Sequence, residues 1–312
     1  MEVSTNEENA RTHESQSGLY RLIDWLNQRL EPLVELGPFK SAIYLALIVF
    51  CLERWPDQPQ LVMLCAFALL VRRMAVSGIY WAVITFVFIA THWMTWYHTD
   101  NHAYLFFYWC IAITLCLFTD KPEESLAKSA RWLLAFVFGL STFWKLTSVE
   151  FLSGNFIEYT LLADARLSPV ALLLGLNGET LIANREILAN YMYAGDLSGV
   201  AYLSTTKAVP VAAKLVAWWM LLLQAAVAVA FLLPDRLVNT FWRHAPMLVF
   251  LYTTYPIAQV SGFGFTLTGI ALCQLKPGSK PIYLALYLLA FLMIFMSKNP
   301  GIRGILHHLG FL

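Results

Sequence analysis

Ala130-Arg131-Trp132-Leu133-Leu134-Ala135-Phe136-Val137-Phe138-Gly139-Leu140-Ser141-Thr142-Phe143-Trp144-Lys145-Leu146 is an apolar run closed by an amine. An ionisable group at membrane depth costs roughly 2.5–3.5 kcal/mol on insertion scales, so it is kept for a partner, a water-filled cavity or proton chemistry. Lys145 is therefore the informative residue. Upstream, Asp100-Asn101-His102 opens another apolar run, and a single topology puts both sites on one side of a bilayer.

Composition points the same way. Hydrophobic residues make up 59% of the chain, charged residues only 13%, and the mean hydropathy is +0.60, which describes a chain that belongs in lipid. At roughly 20 apolar residues per span, the length allows about seven to nine helices and no large soluble domain. A net charge of +1 gives no basis for binding nucleic acid. Glu2, Glu7, Glu8 and Glu14 mark residues 1–18 as a polar tail, expected to be disordered, that is neither a signal peptide nor a polybasic anchor. Cys51, Cys65, Cys110, Cys116 and Cys273 all fall in apolar runs without C-x-x-C spacing and read as small core residues.

From residue 19 onward the chain reads as a single domain. Leu22, Ile23, Leu26 and Leu30 alternate at helical spacing with Arg21, Asp24, Asn27 and Arg29, the pattern of an amphipathic helix lying on the membrane surface. After Gly37-Pro38 come apolar runs at about 39–52, 60–71, 75–97, 103–118 and 128–146, then 209–233, 241–258, 262–275 and 281–296. The first two are short enough for a tilted pair or a re-entrant hairpin. Between the runs at 128–146 and 209–233, residues 147–208 break into turns and short apolar pieces, expected as a partly extramembrane segment capping a cavity. The fold class is all-α: a polytopic integral membrane helix bundle, multi-pass in a bacterial-type cytoplasmic (inner) membrane, preceded by the interfacial helix.

Short cytoplasmic loops collect Lys and Arg. With the amino end cytoplasmic, Arg72, Arg73, Lys121, Lys128, Arg131, Arg236, Arg243, Lys276 and Lys280 all fall inside, and His98, Asp100, Asn101, His102 and Lys145 fall outside. Lys298 and Arg303 fall outside against the rule.

Asn101-His102-Ala103-Tyr104-Leu105 opening one span, and Lys145-Leu146 followed by Phe151-Leu152-Ser153-Gly154 closing the next, resemble the membrane domain of the vitamin K-dependent gamma-carboxylase superfamily, the HTTM family. The resemblance runs from about residue 18 to the last apolar run. It implies a multi-helix membrane fold with a cavity open to the extracytoplasmic side, a reduced quinone (menaquinol or vitamin K-like) as cofactor, and no metal. It also implies that Lys145 is the base that deprotonates the quinol, with Asn101 and His102 orienting it. A desolvated amine can act as a base near neutral pH. The family's later histidine has no counterpart around Thr254, so glutamate carboxylation itself does not follow from the resemblance.

Other polar residues invite simpler readings. Lys214 reads as a snorkelling side chain, and Gln224, Gln259 and Thr266 to Thr268 as interhelical hydrogen bonds. Trp93, Trp96, Tyr97, Tyr104, Tyr108 and Trp109 form an interface belt that could double as a quinone-stacking platform. His92, His98 and His102, with Asp100, have the spacing of a weak metal motif. The expectation is a membrane-embedded, quinol-linked, carboxylase-like enzyme acting on a peptide or small substrate. The alternatives are a non-catalytic maturation, export or immunity partner of a secreted peptide, or a small transporter.

Overall fold

A computed structural model of the chain describes residues 36–54, 57–93, 96–99, 101–193, 200–258, 260–276 and 279–298. The polar tail and most of the interfacial helix expected from the sequence, together with Asp100, Gln259, Arg303, His307 and His308, lie outside these residues. All regular structure among the described residues is helical. The chain forms α1 (Leu36–Glu53), α2 (Pro59–Leu70), α3 (Arg72–Ala75), α4 (Gly78–Trp93), α5 (Asn101–Cys116) and α6 (Pro122–Thr147). It continues through α7 (Val149–Ser153), α8 (Asn155–Ala163), α9 (Ser168–Leu173) and α10 (Gly178–Tyr193) to α11 (Ala208–Leu232), α12 (Thr240–Thr254), α13 (Ser261–Leu272) and α14 (Pro281–Lys298). Helices α1, α11 and α14 are long and apolar enough to cross a membrane, and α2, α4, α5 and α13 are shorter apolar helices.

Local chemistry explains where these boundaries depart from the apolar runs. Helix α6 starts well before its apolar stretch, because Pro122 suits the first helical position and Glu123 and Glu124 complement the positive end of the helix. The run expected over 75–97 divides instead. Arg72–Ala75 closes on itself as α3, and Gly78 opens α4 where a Cβ would come within 3.0 Å of the Phe118 ring.

Residues 147–208 differ most from expectation, being largely helical rather than irregular. Ser148 caps α7 by accepting from Phe151 N at 3.2 Å, and Asn177 Oδ1 accepts from Thr180 N at 2.7 Å at the start of α10. Phe151, Ile157, Leu161 and Leu181 pack from this segment onto Val209, Ala213, Ala217 and Leu221 of α11, forming a core separate from that of the main bundle.

At the centre of the main bundle, α13 is buried on almost every side, as expected of a helix apolar all round. Its small residues allow the close approach, since a Cβ on Gly264 would come within 3.0 Å of Ile294 and Tyr255. Thr266 and Thr268 hydrogen-bond back to Gly262 O and Gly264 O, each at 2.7 Å. The interhelical bonds expected of these hydroxyls are thus replaced by bonds within α13. All five cysteines are unpaired, four of them buried.

One end of the bundle is organised by Asp235, in the turn after α11. Its carboxylate pairs with Arg131 at 3.3 Å, Arg243 at 3.0 Å and Lys276 at 2.8 Å, joining α6, α12 and the turn after α13. Arg131 also donates to Phe231 O, Leu232 O and Leu233 O, and Arg243 to Leu233 O. The opposite end carries Lys145, the end of α4 and the start of α5. Lys298 lies there too, where it donates to Glu53 at 2.8 Å and to Leu52 O. Its charge, anomalous in the loop count, is locally neutralised.

The hydrogen bond from Lys276, with the charges of Arg243, Lys276 and Arg131, holds the Asp235 carboxyl below the ordinary carboxylate range. A depressed pKa contributes stability above the unfolded value, about 3.9, and that contribution is lost as pH falls through the folded value. Asp235→Asn is expected to lower the thermal midpoint in detergent by on the order of 1–3 °C at neutral pH, the scale of half-exposed ion pairs. The gap from wild type should hold down to about pH 4 and close below it. A gap that widens under acid would remove Asp235 as its source.

Candidate functional site

Ser141 and Lys145 are four residues apart, so both lie on one face of α6. That face meets α11 in an antiparallel pairing. Lys145 Nζ donates to Ser141 Oγ at 2.6 Å, and Ser141 Oγ donates to Oε1 of the buried Gln224 at 3.0 Å. Lys145 Nζ also stands 5.3 Å from the centre of the Phe151 ring, within cation–π range. No carboxylate pairs with it among the described residues. The amine is half-buried, held by a hydroxyl and a ring, with no counter-ion among the described residues.

The turn that follows places Phe151. Ser148 breaks α6 and caps α7, which brings the ring back beneath the amine. Gly154 then adopts φ +91°, and a Cβ there would lie 2.9 Å from both N and Cα of Lys214. Only glycine tolerates that backbone so close to another helix. Lys214, read from the sequence as a snorkelling side chain, thus contributes its backbone to the packing of this turn.

Asn101 and His102 occupy the first turn of α5, Asn101 exposed and His102 half-buried. A Cβ on Gly262 would come within 2.5 Å of His102 Cδ2, so the imidazole rests in the space that Gly262 leaves open on α13. Helices α5 and α6 run antiparallel, with Cys116 Sγ 3.7 Å from Ser129 Oγ near their junction. Counting equally along both helices from that contact brings His102 level with Phe143, two residues before Lys145. The structure therefore brings His102 and Lys145 to one end of packed helices, but Lys145 makes its hydrogen bond to Ser141 and none to His102.

The aromatic belt forms a different feature. Trp93, Trp96, Tyr104, Phe107 and Tyr108 line a cavity of about 520 Å³ with His92 in its wall. Tyr104 follows His102 by two residues, roughly 200° around α5, so the cavity opens on the other side of that helix. Trp109 is buried in the core instead. His92 is held by Phe88 O at 2.9 Å, Arg54 at 3.3 Å and Gln58 at 3.5 Å. Among the described residues no three His, Cys, Asp or Glu side chains are grouped to hold a metal.

Several of these residues escape a reading by motif. Ser141 was accessible through its spacing from Lys145. Gln224 does make the interhelical bond expected of it, but its link to the amine emerges only from the pairing of α6 with α11. Gly262, Arg54 and Gln58 have no signal of their own. His244, buried with Nδ1 2.9 Å from Tyr287 Oη, sits one turn into α12, next to the residues that bind Asp235. It belongs to the far end of the bundle from Lys145.

No protein-family model, curated protein or solved structure matches this chain.

Gly154 and Gly262 should respond differently to a methyl group. Gly154→Ala meets backbone in a left-handed conformation and is expected to cost about 1–3 kcal/mol, read as thermal unfolding in detergent. Gly262→Ala meets a side chain that can turn away, so it should unfold closer to wild type while displacing His102. Equal destabilisation of the two would show that the Gly154 turn is not under this constraint.

Proposed function

We propose that the chain is a multi-pass membrane protein of seven to nine spans, a member of the HTTM, carboxylase-like group, with its Lys145 end extracytoplasmic in a bacterial inner membrane. We read it as a quinol-linked enzyme in which Lys145 is the base and His102 and Asn101 orient the substrate. The observation that carries this reading is the state of Lys145: an amine without a carboxylate partner, steered by Ser141 and Gln224.

The donor set suits a quinol. The amine keeps a lone pair when it donates to Ser141, so Nζ can take up a proton from a hydroxyl. Gln224 fixes the direction of the Ser141 hydroxyl and leaves that oxygen's lone pair for the amine. The His102 imidazole offers a hydrogen bond to a second oxygen at a similar level. Phe143 and Trp144 present exposed rings on the same turn, an apolar approach from lipid. A bound quinol would supply the reducing equivalents, and these residues would hold it and manage its proton. A peptide or other small substrate entering from outside would meet the helical segment α7 to α10, which packs on α11 at this end.

Two experiments test the reading. In nanodiscs, with dissolved dioxygen as the two-electron acceptor, Lys145→Ala is expected to lower quinol oxidation about 10²–10⁴-fold with quinol binding retained, the signature of a lost base. His102→Ala should weaken quinol binding. Turnover unchanged in Lys145→Ala, at matched folding yield, would end the catalytic reading and leave the chain as a scaffold or partner for a secreted peptide. Separately, cysteine placed at Asn101 should react with a membrane-impermeant maleimide from outside intact cells, and cysteine placed at Arg236 should not. The reverse pattern would invert the topology.

A further inference from the structure

The end of the bundle that carries Asp235 holds a second charged feature, a cavity of about 740 Å³ between the first turn of α1 and the α2–α3 corner. Lys40 and Tyr44 line it from α1, and Arg72 and Arg73 from the corner. All three cations are exposed, and among the described residues none forms an ion pair or side-chain hydrogen bond. No acidic residue is among the described residues that line the cavity. The neighbouring cavity of about 570 Å³ is different: Arg131 and Lys276 there are already held by Asp235, and Glu123 and Glu124 share the wall. Three exposed cations around one recess, with no acid in its described lining, raise a local positive potential that attracts an anion.

The surroundings say what kind of anion. Leu36, Leu69 and Val76 complete the wall, and Leu70 and Ile79 beside the corner are 83% and 73% exposed. A ligand that places a phosphate among guanidinium and ammonium groups and runs apolar chains along these side chains meets both halves of the recess. Guanidinium forks match phosphate oxygens in pairs, and basic recesses between membrane helices are known receptors for acidic headgroups. We infer that this cavity binds the phosphodiester headgroup of an anionic phospholipid, with Lys40, Arg72 and Arg73 as its ligands and the Tyr44 hydroxyl as a further donor. The inference rests on the membrane placement proposed above and is independent of the quinol chemistry.

The test uses the full chain purified in neutral detergent, with a fluorescent phosphatidylglycerol as probe and unlabelled lipids and anions as competitors. Phosphatidylglycerol is expected to compete saturably. Phosphatidylcholine, glycerol phosphate and inorganic phosphate are expected not to. Each cation removed should weaken binding roughly fivefold, so Lys40→Gln/Arg72→Gln/Arg73→Gln together should lose about 100-fold. Arg72→Lys/Arg73→Lys should retain most of the affinity. Lys207→Gln/Arg236→Gln/Lys280→Gln, which removes the same charge elsewhere, should retain all of it. Equal loss in the two Gln triples would overturn the site in favour of diffuse surface charge, and competition by inorganic phosphate alone would overturn its assignment to a lipid. Quinol oxidation plays no part in this readout, so failure of either proposal is visible without the other.

Discussion

The last four carbonyls of an α-helix have no donor within the helix and must find one outside it. Helix α11 meets this constraint with two guanidiniums: Arg131 from α6 and Arg243 from α12 reach its final carbonyls, and Asp235 balances part of their charge. A planar fork that satisfies several acceptors at once permits few alternative positions for the helix that carries it. The contact of Arg131 with Phe231 therefore sets the register between α6 and α11. Further along the same antiparallel pair, that register aligns Ser141 with Gln224, and beyond it the Gly154 turn with the backbone of Lys214. The position of Lys145 is thus set from the opposite end of the bundle.

Helices whose stability comes from wide apolar surface were legible in the sequence, because hydropathy alone marks them. The run at 209–233 and α11 differ by a residue at each end, and 281–296 differs little from α14. Boundaries set by capping chemistry were less accessible. The polar first turns of α6 have no hydropathy signal, though Pro122 with Glu123 and Glu124 marks a helix start. Helices α7, α8 and α9 are short, and α10 carries many polar residues among its apolar ones, so no run stood out. Ser148 and Asn177 were the readable signs, since each can cap the turn that follows it. Lys145, His102 and Gly154 can be singled out in the sequence, whereas the contacts the structure gives them cannot. Gln224 is distant in sequence from Ser141, and no local pattern announces which helix will lie opposite.

Charge follows a consistent logic. Lys298 has Glu53, Arg166 has Asp164, and Arg131, Arg243 and Lys276 share Asp235. Each of these pairs stands at a helix end or in a turn, where partial hydration moderates the cost of charge. Lys145 stands apart because its neighbours are a hydroxyl and an aromatic ring. Lys40, Arg72 and Arg73 also have no carboxylate partner among the described residues, but they are exposed, whereas Lys145 is half-buried.

The distribution of imidazoles bears on which chemistry this end of the bundle can perform. His244 is committed to Tyr287 near the Asp235 end and cannot serve a proton released beside Lys145. His92 is fixed among Phe88, Arg54 and Gln58, facing the aromatic cavity on the other side of α5. Of these three imidazoles, His102 is the one seated on α13 at the level of Lys145. In the proposed reading, one amine and one imidazole would take a proton from a quinol and hold a second oxygen. Abstracting a proton from carbon and guiding carbon dioxide to the resulting anion would ask for a further acid–base group. The proposed reading is therefore confined to chemistry on the quinol and does not extend to the full carboxylation sequence.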